Sequence, residues 1–243
     1  MINIGPSTGW LYAIDIFEIL QQEEILQVAG ANSVEICLGD WWTYFKRRKV
    51  FEEGQEFKKF CYRSLHIPNV YLPIVNDDLV EIKNISDQQE IATVLTHPIK
   101  AKGEYPQKSY QFMVKNGVPL AIENMDNLAE SGKDIKELEN LINEFDLRFV
   151  LDVQHAFEWG VEYTRELFST LKGKLAHLHV SGELLGNRHC LLYKATNASV
   201  ILKLLDDILK VKLVPLILEG EYTTSFELAR EIAFITQELC IKR

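Results

Sequence analysis

Carboxylate and imidazole side chains recur along the sequence at a nearly regular spacing. Seven of them stand at or near the end of a short apolar run, 26 to 40 residues apart: Glu35, His66, His97, Glu123, Asp152, His179 and Glu219. A mixture of histidine, aspartate and glutamate suits Zn2+, Mn2+ or Fe2+ better than Ca2+ or Mg2+. Such a group is costly to bury unpaired, and metal ions would compensate it. The spacing therefore predicts a metal centre, provided that the fold brings these residues together.

The apolar runs alternate with amphipathic stretches. Eight runs are mostly continuous in Val, Ile and Leu, which is typical of strands covered on both faces; they lie near residue 3 and at 33–38, 63–67, 92–97, 119–123, 148–152, 174–180 and 213–219. Apolar residues repeated every three or four positions predict helices at 13–28, 133–145, 161–171, 196–210 and 224–240, with a shorter one after residue 76. Strands separated by such helices indicate a parallel sheet.

Eight strand–helix units without a linker favour a closed barrel over an open sheet. A (β/α)8 barrel needs about 250 residues, so it would use all 243 residues. No GxGxxG follows the first strand, which argues against a dinucleotide-binding doubly wound sheet. We therefore predict an α/β fold, a single (β/α)8 TIM barrel, with residues 1–243 as one domain. The C-terminal ends of its strands meet at one face, which would place the seven residues in one pocket.

The positions of the histidines favour the same face. Five of the six stand at a strand end or just after one, namely His66, His97, His155, His179 and His189, and His177 precedes His179 by two residues. None falls in a predicted helix. For one histidine taken alone, an ordinary hydrogen-bonded role is the simpler interpretation. For the whole set, a metal centre is the better one.

The composition limits the binding partners and the cellular location that we expect for the protein. The formal net charge is -9, and a field of that sign repels nucleic acid and anionic membranes. No apolar run approaches the ~20 residues that span a bilayer, and the N-terminus lacks signal-peptide features. The four cysteines form no CxxC pair, so neither a zinc ribbon nor a redox motif is indicated. We expect a cytoplasmic protein without a membrane partner.

Seven short segments occur in order between residues 64 and 220: SLHIP, LTHP, LAIEN, LDVQHA, HLHVSG, NRH and LILEG. With them the sequence resembles the xylose isomerase-like TIM-barrel superfamily, which includes endonuclease IV (AP endonuclease family 2) and many sugar isomerases and epimerases. The strand pattern extends the resemblance over essentially the whole chain. It implies an enzyme that uses one to three divalent metal ions, Zn2+ or Mn2+.

One reaction that the resemblance implies is the rearrangement of a sugar. In the isomerases and epimerases of the superfamily, one metal ion is held by residues that match Glu123, Asp152, His179 and Glu219. The enzyme then moves a proton or hydride between adjacent carbons while the metal ion stabilises enediolate charge. Glu123, Glu219 and Glu35 are the predicted catalytic carboxylates. For Glu35, a contact with substrate is also open, and an ion pair with Arg63 or another barrel residue is an equal alternative.

The other reaction, which the sequence favours, is hydrolysis of a phosphoester. In the endonuclease IV group, residues that match His66 and His97 join Glu123 in a second metal site, and His155 and His189 resemble ligands of a third. Two metal ions ~3.5–4 Å apart can activate a water and stabilise a displaced phosphoester. The segment LTHP strongly resembles this group. Asn187, an amide, stands where that group has an acid. The sequence therefore does not decide whether the third metal site is present.

A small substrate is expected rather than duplex DNA. The one concentrated basic run, KRRK at 46–49, follows Trp41 and Trp42. It is either a solvated helix face or a loop that stacks on a ring and holds a phosphate. Together with Asn124 and Arg188, the two tryptophans are predicted to contact a phosphorylated, nucleotide-like or sugar substrate. The sequence leaves the oligomeric state open.

Overall fold

The computed structural model describes residues 2–16, 18–39, 56–69 and 76–240. Two features singled out in the sequence lie outside these ranges, namely the tryptophan pair Trp41 and Trp42 and the basic run at 46–49. Their predicted contact with substrate therefore stays a prediction.

Eight parallel strands form the barrel: β1 (Ile4–Pro6), β2 (Ser33–Cys37), β3 (Tyr62–His66), β4 (Thr93–Thr96), β5 (Leu120–Glu123), β6 (Arg148–Asp152), β7 (Leu175–Val180) and β10 (Leu216–Leu218). Their order is β1-β10-β7-β6-β5-β4-β3-β2. A parallel bridge between Ser7 and Glu35 joins the two ends of this row, and the Thr8 amide donates to the Glu35 carbonyl at 2.8 Å. The predicted (β/α)8 barrel is confirmed.

Nine helices accompany the strands in the described ranges: α1 (Gly9–Ala13), α2 (Ile19–Val28), α3 (Asn76–Gln88), α4 (Gln107–Lys115), α5 (Ile135–Phe145), α6 (Val153–Phe157), α7 (Val161–Leu171), α8 (Ala198–Val211) and α9 (Ser225–Glu238). Short 3-10 turns lie at Glu56–Lys59 and Leu192–Lys194. None of the helices in these ranges has the length and apolar content needed to cross a bilayer.

Three details of the helices differ from the sequence prediction. The predicted helix at 13–28 forms only from Ile19 onward, as α2, because α1 ends at Ala13 and Asp15 lies between the two helices in the left-handed region at φ 60°. Helix α4 was not predicted. The expectation that no histidine lies in a helix is wrong, because His155 lies in α6. That helix starts directly at the end of β6, since the Asp152 carboxylate accepts the amide of His155 at 2.8 Å and so caps it.

An antiparallel hairpin lies between β7 and β10 in the chain. It consists of β8 (Gly182–Leu184) and β9 (Asn187–Cys190). The two turn residues, Leu185 and Gly186, both have positive φ, at 52° and 84°, as the tight turns of two-residue hairpins require. The sequence prediction had no strands here. The hairpin carries Arg188 and His189, two of the predicted site residues.

Strand register decides which side chains point into the barrel. Residues paired across parallel strands face the same side of the sheet, and Glu35 pairs with Ser64, which pairs with Thr93. His177 pairs with Val150, and His179 with Asp152. One part of the barrel interior is therefore polar, and another is filled by a small apolar cluster of Leu95, Ala121 and Val150. The main core lies outside the barrel wall, beneath the helices.

The close approach of β1 and β2 depends on Gly5. A Cβ atom added there would lie 1.8 Å from the carbonyl oxygen of Ser33, a backbone atom that has no freedom to move aside. We expect Gly5→Ala to lower the free energy of unfolding by about 2 kcal/mol or more, since forced overpacking costs about 1–3 kcal/mol. For a chain of this size, that corresponds to a fall in Tm of about 4–8 °C.

The measurement is thermal unfolding followed by circular dichroism. Gly173→Ala is the matched control, because a Cβ at Gly173 would meet nothing within 4 Å. The control is expected to change the free energy of unfolding by less than about 0.5 kcal/mol. Equal Tm values for the two variants would contradict the proposed close approach.

Candidate metal centre

Four neighbouring strands of the barrel, β5, β6, β7 and β10, bring four ligand-type residues together at their C-terminal ends. One ligand atom from each lies within 4.8 Å of the others; we call this group, Glu123, Asp152, His179 and Glu219, the four-ligand cluster. Nδ1 of His179 is 3.2 Å from Glu123 Oε1 and 3.3 Å from Glu219 Oε1. Ligands at about 2.0–2.1 Å from one tetrahedral ion stand about 3.3 Å apart. The spacing of the cluster therefore fits a single metal ion.

Several buried polar atoms of this cluster have no hydrogen-bond partner among the described residues. They include Glu123 Oε2, Asp152 Oδ2 and His179 Nδ1. Unpartnered buried polar atoms are rare because each costs free energy. A divalent cation bound by carboxylates and an imidazole would satisfy them, and this donor set suits Zn2+ or Mn2+. The residues present therefore fit a metal ion.

His66 and His97 form a second group with Glu123. Their Nε2 atoms are 3.3 Å apart and lie 3.8 and 3.6 Å from Glu123 Oε2. Each ring has an acceptor at its other nitrogen, because Nδ1 of His66 faces the Ile67 carbonyl at 3.2 Å and Nδ1 of His97 faces Asn69 Oδ1 at 2.9 Å. With the protons on Nδ1, both Nε2 lone pairs face Glu123. A second cation would fit between them.

A set of hydrogen bonds fixes the end of β6. The side-chain amide of Asn124 donates to the Asp152 carbonyl at 3.0 Å and accepts the Asp152 amide at 2.9 Å. The Asn124 carbonyl accepts from His155 Nδ1 at 3.2 Å. Asn124 is fully buried and binds this backbone, and its predicted contact with the substrate stays a prediction. The ring of His155 is turned so that Nδ1 also lies 3.6 Å from both Glu123 Oε1 and Asp152 Oδ2.

Arg188 and His189 of the hairpin contact residues that surround the cluster. Arg188 donates to Asp126 Oδ2 at 2.7 Å, and its Nε is 3.1 Å from Glu158 Oε1. The ring of His189 is 5.9 Å from those of both Trp10 and His155. Within the described ranges, no group of three ligand-type residues that could hold a metal ion includes His155 or His189. Their predicted role as ligands of a third ion stays a prediction.

Asn187 is close to these residues but is tied to its own loop. Its Oδ1 accepts the amide of His189 at 3.0 Å, and its Nδ2 donates to Glu221 at 3.4 Å. The side chain that replaces an expected acid therefore shapes the hairpin.

A cavity of about 270 Å3 opens beside the cluster, lined by Ser7, Gly9, Trp10, Ala13, Cys37, His189 and Glu219. Small-molecule pockets start at about 300 Å3, so the space suits a small ligand. Trp10 forms one wall, and its indole nitrogen donates to the Glu219 carbonyl at 3.0 Å. Trp10 is the last residue of the Gly-rich turn GPSTGW, for which the sequence favours a plain βα turn on the active face over a contact with substrate. Trp10 itself was not among the predicted site residues.

Burial and neighbouring charges separate the pKa values of these groups. Burial lowers the pKa of His179, but Glu219 and Glu123 outweigh it and hold that pKa well above its usual value. Burial raises the pKa of Glu123 and of Glu219, but His179 outweighs it and holds both below the usual range. Burial raises the pKa of Asp152 to about 6. At neutral pH, the metal-free cluster thus holds ionised carboxylates around a protonated imidazole, in the place that a cation would take.

The pKa values of His97 and His155 are shifted in opposite directions. Burial, reinforced by His66, lowers the pKa of His97 to about 4. Burial acts in the same direction on His155, but Asp152 and Glu123 outweigh it and raise its pKa to about 9. At pH 7, His97 is therefore a neutral, ligand-ready imidazole, whereas His155 is a cation that can donate to an oxygen of a ligand.

No protein-family model matches the chain, and no curated protein matches it in sequence. Solved structures do match in fold. A D-tagatose 3-epimerase-like protein matches at a TM-score of 0.73 and 14% identity, over 99% of this chain and 98% of its own. L-ribulose 3-epimerase matches at a TM-score of 0.68 and 14% identity, over 98% of this chain and 95% of its own. A xylose isomerase domain protein from Salmonella typhimurium LT2 matches at a TM-score of 0.68 and 10% identity, over 98% and 97%.

These similarities confirm the fold that the sequence resemblance implied. The chain has the xylose isomerase-like TIM-barrel fold over practically its whole length. At identities of 10 to 14%, the likeness is one of fold. A shared fold does not determine the reaction, which depends on the residues of the site.

Metal binding at the four-ligand cluster is expected to release about one proton per ion at pH 7. Coordination needs a bare Nδ1 on His179, whereas the metal-free protein keeps this histidine protonated because its pKa is raised. Protons and metal ions then compete, so affinity falls as the pH falls. Affinity stops rising only above the raised pKa of His179. Calorimetric titration with Mn2+ in two buffers of equal pH but different ionisation enthalpy measures the proton release, and equal heats in the two buffers would contradict it.

Proposed function

We propose that the protein, with residues 1–243 as one domain, is a metal-dependent isomerase or epimerase that acts on a sugar. The observation that carries the proposal is the four-ligand cluster, held on four adjacent strands beside a small cavity. The fold supports it, because solved structures described as sugar epimerases share this fold along the chain's whole length. This reaction is favoured over the phosphoester hydrolysis that the sequence ranked first.

Glu123 and Glu219 are the proposed acid and base. In the row β10-β7-β6-β5 they come from the two outer strands, so their carboxylates approach the site from opposite sides of His179 and Asp152. Epimerisation next to a carbonyl removes a proton from one face of a carbon and returns one to the other face. Two carboxylates held apart in this way can each serve one face. The bound metal ion would orient the substrate oxygens and stabilise the negative charge that develops on them.

The surrounding side chains bind and orient the substrate in this proposal. His155 is cationic at neutral pH and has its Nδ1 proton committed to the Asn124 carbonyl, so Nε2–H is left to donate to a substrate oxygen. Trp10 offers an apolar indole face to the carbon skeleton of the sugar. Arg188 reaches the rim between Asp126 and Glu158, where it can orient a hydroxyl group. Contact of Trp41 and Trp42 with the substrate stays a prediction.

Hydrolysis of a small phosphoester is the second candidate. The arrangement of His66 and His97 around Glu123 Oε2 favours it, because a single-metal isomerase has little need of two further imidazoles in ligand geometry. Glu123 would then help to hold the metal ions of both groups. Two such ions can activate a water and stabilise both oxygens of the displacement.

The two candidates separate in a pair of variants. The double variant His66→Ala with His97→Ala is expected to reduce ketose isomerisation or epimerisation by less than about tenfold, since both residues lie outside the four-ligand cluster, whereas it would abolish phosphoester hydrolysis. Glu123→Gln is expected to lower either activity by about 100-fold or more, because it removes both a ligand and an acid–base group. The assays are ketose interconversion followed by chromatography and phosphate release, with Mn2+ or Zn2+ present.

Glu144→Gln serves as the control, because it makes the same change on the exposed face of α5. It is expected to retain full activity. Metal content per chain, measured by elemental analysis, accompanies the assays: one ion supports the isomerase, and two or more support the hydrolase. Protein that turns over no ketose or ketose phosphate but releases phosphate from a phosphoester would overturn the proposed function.

A further inference from the structure

Three fully buried residues lie directly against the four-ligand cluster on its inner side. We call them the inner cluster: Glu35, His177 and His179, each 0% exposed. His179 belongs to both groups. Its Nδ1 faces Glu123 and Glu219, whereas its Nε2 is 3.3 Å from Glu35 Oε2 and 3.1 Å from His177 Nε2. The two ring nitrogens of one imidazole thus face two different environments.

A neutral histidine can bind a metal ion only through its bare nitrogen, while the other nitrogen carries the proton. If His179 serves the four-ligand cluster, the bare atom has to be Nδ1 and the proton has to lie on Nε2. The opposite tautomer would put an N–H at the metal position. It would also turn a bare Nε2 lone pair toward a carboxylate oxygen.

Glu35 favours the first of these tautomers. Its Oε2 accepts the hydroxyl of Ser64 at 2.9 Å and also faces Nε2 of His179. A proton on Nε2 turns the second contact into a charge-assisted hydrogen bond, and such bonds are about twice as strong as neutral ones. A bare Nε2 there would instead repel the carboxylate in a site that water does not reach.

His177 acts in the same direction. The hydroxyl of Tyr62 donates to Thr93 Oγ1 at 2.9 Å, so its oxygen can accept from His177 Nδ1 at 2.8 Å. With its proton on Nδ1, His177 presents a bare Nε2 to His179. The Nε2 proton of His179 then lies between two acceptors, Glu35 Oε2 and His177 Nε2, which are 3.5 Å apart and would repel each other without it. The Tyr62 hydroxyl proton and the ring protons of His177 and His179 each have an acceptor under this assignment.

We propose that Glu35 is a positioning residue which, with His177, fixes the tautomer and ring orientation of His179 and so presents Nδ1 to a metal ion. The inference rests on the metal site of the proposed function, but not on the sugar reaction. Glu35 then acts through His179 rather than on the substrate. A carboxylate behind a metal-bound histidine also raises the basicity of that ligand, and its loss typically costs about 10- to 100-fold in metal affinity.

The same three residues could instead hold an ion of their own, since their facing atoms are 3.1 to 3.5 Å apart. With ions in both the inner cluster and the four-ligand cluster, His179 would bind metal through both nitrogens and would have to lose both ring protons. Loss of the second proton is costly for an imidazole. The hydrogen-bonded arrangement is therefore favoured, and the tautomer of His179 distinguishes it from an ion in the inner cluster.

The direct test is the tautomer of His179 in the wild-type protein. Protein labelled with 15N-histidine and loaded with Zn2+ is examined by long-range 1H–15N correlation spectra, with the ring signals assigned by comparison with His179→Gln and His177→Gln. We expect one His179 N–H, at Nε2, and a metal-shifted Nδ1. A proton on Nδ1, or a His179 ring with no proton on either nitrogen, overturns the proposal, and the second result would identify an ion in the inner cluster.

The second measurement is Zn2+ affinity, determined by competition with a chelator. Glu35→Gln keeps the size of the side chain and removes its charge, and we expect it to weaken binding by about 10- to 100-fold. Glu231→Gln is the matched control. It changes a carboxylate that is equally buried, but which accepts the amides of Leu192 and Tyr193 away from the metal centre. The control is expected to bind Zn2+ within about twofold of wild type.

Equal loss in the two variants would show general destabilisation and overturn the positioning role. The spectra of the wild-type protein decide the tautomer even if Glu35→Gln does not fold. Wild-type protein that binds no Zn2+ overturns both this proposal and the proposed function. Protein that binds Zn2+ with the expected tautomer but converts no sugar overturns only the proposed function.

Discussion

The imidazole of His179 contacts three carboxylates at once, and the chemistry of the barrel depends on how that crowding is resolved. Glu123 and Glu219 lie 3.2 and 3.3 Å from one ring nitrogen, and Glu35 lies 3.3 Å from the other. All these groups are wholly or largely removed from water. Buried charges have to be paired, protonated or bound to metal. A proton on His179 compensates them in the metal-free protein, and a divalent cation would compensate them more completely.

The barrel supplies the rigidity that this arrangement requires. Asp152 holds its position through two hydrogen bonds of its backbone to Asn124, and its carboxylate also caps α6. Because His155 donates its amide to that carboxylate, the positions of Asp152 and of the protonated imidazole of His155 are fixed together. The closure of the sheet between β1 and β2 relies in turn on a residue without a side chain, Gly5. Ligand geometry is thus maintained by backbone contacts that belong to the fold rather than to the site.

Much of the fold and of the candidate metal centre could be predicted from the sequence, for physical reasons. The alternation of continuous apolar runs with amphipathic stretches indicated the eight strands and the barrel, and strand ends indicated the ligand-type residues. Helix α4 was missed because its apolar face is short and interrupted, with Tyr110 and Met113 as its buried apolar residues. Helix α6 was missed because it consists of five residues that start at a strand end.

The partners of Glu35 were beyond the reach of the sequence for a different reason. A strand pattern shows which residues alternate, but not the register against the next strand. Register places Glu35 beside Ser64, and closure of the barrel brings it to His179, which is 144 residues away in the chain. The β8–β9 hairpin was unpredicted because its turn, Leu185 and Gly186, lacks the asparagine or aspartate that usually marks a two-residue turn.

The four strands that carry the four-ligand cluster occupy one half of the barrel's circumference. The other half, from β1 to β4, contributes the apolar wall around Trp10 and the imidazoles of His66 and His97. In the proposed isomerase, the groups that perform the reaction and the apolar wall that faces the substrate therefore lie on separate arcs of one ring. Under the proposed function, substitutions around Trp10 would therefore alter which substrate is recognised without changing the carboxylates that perform the reaction.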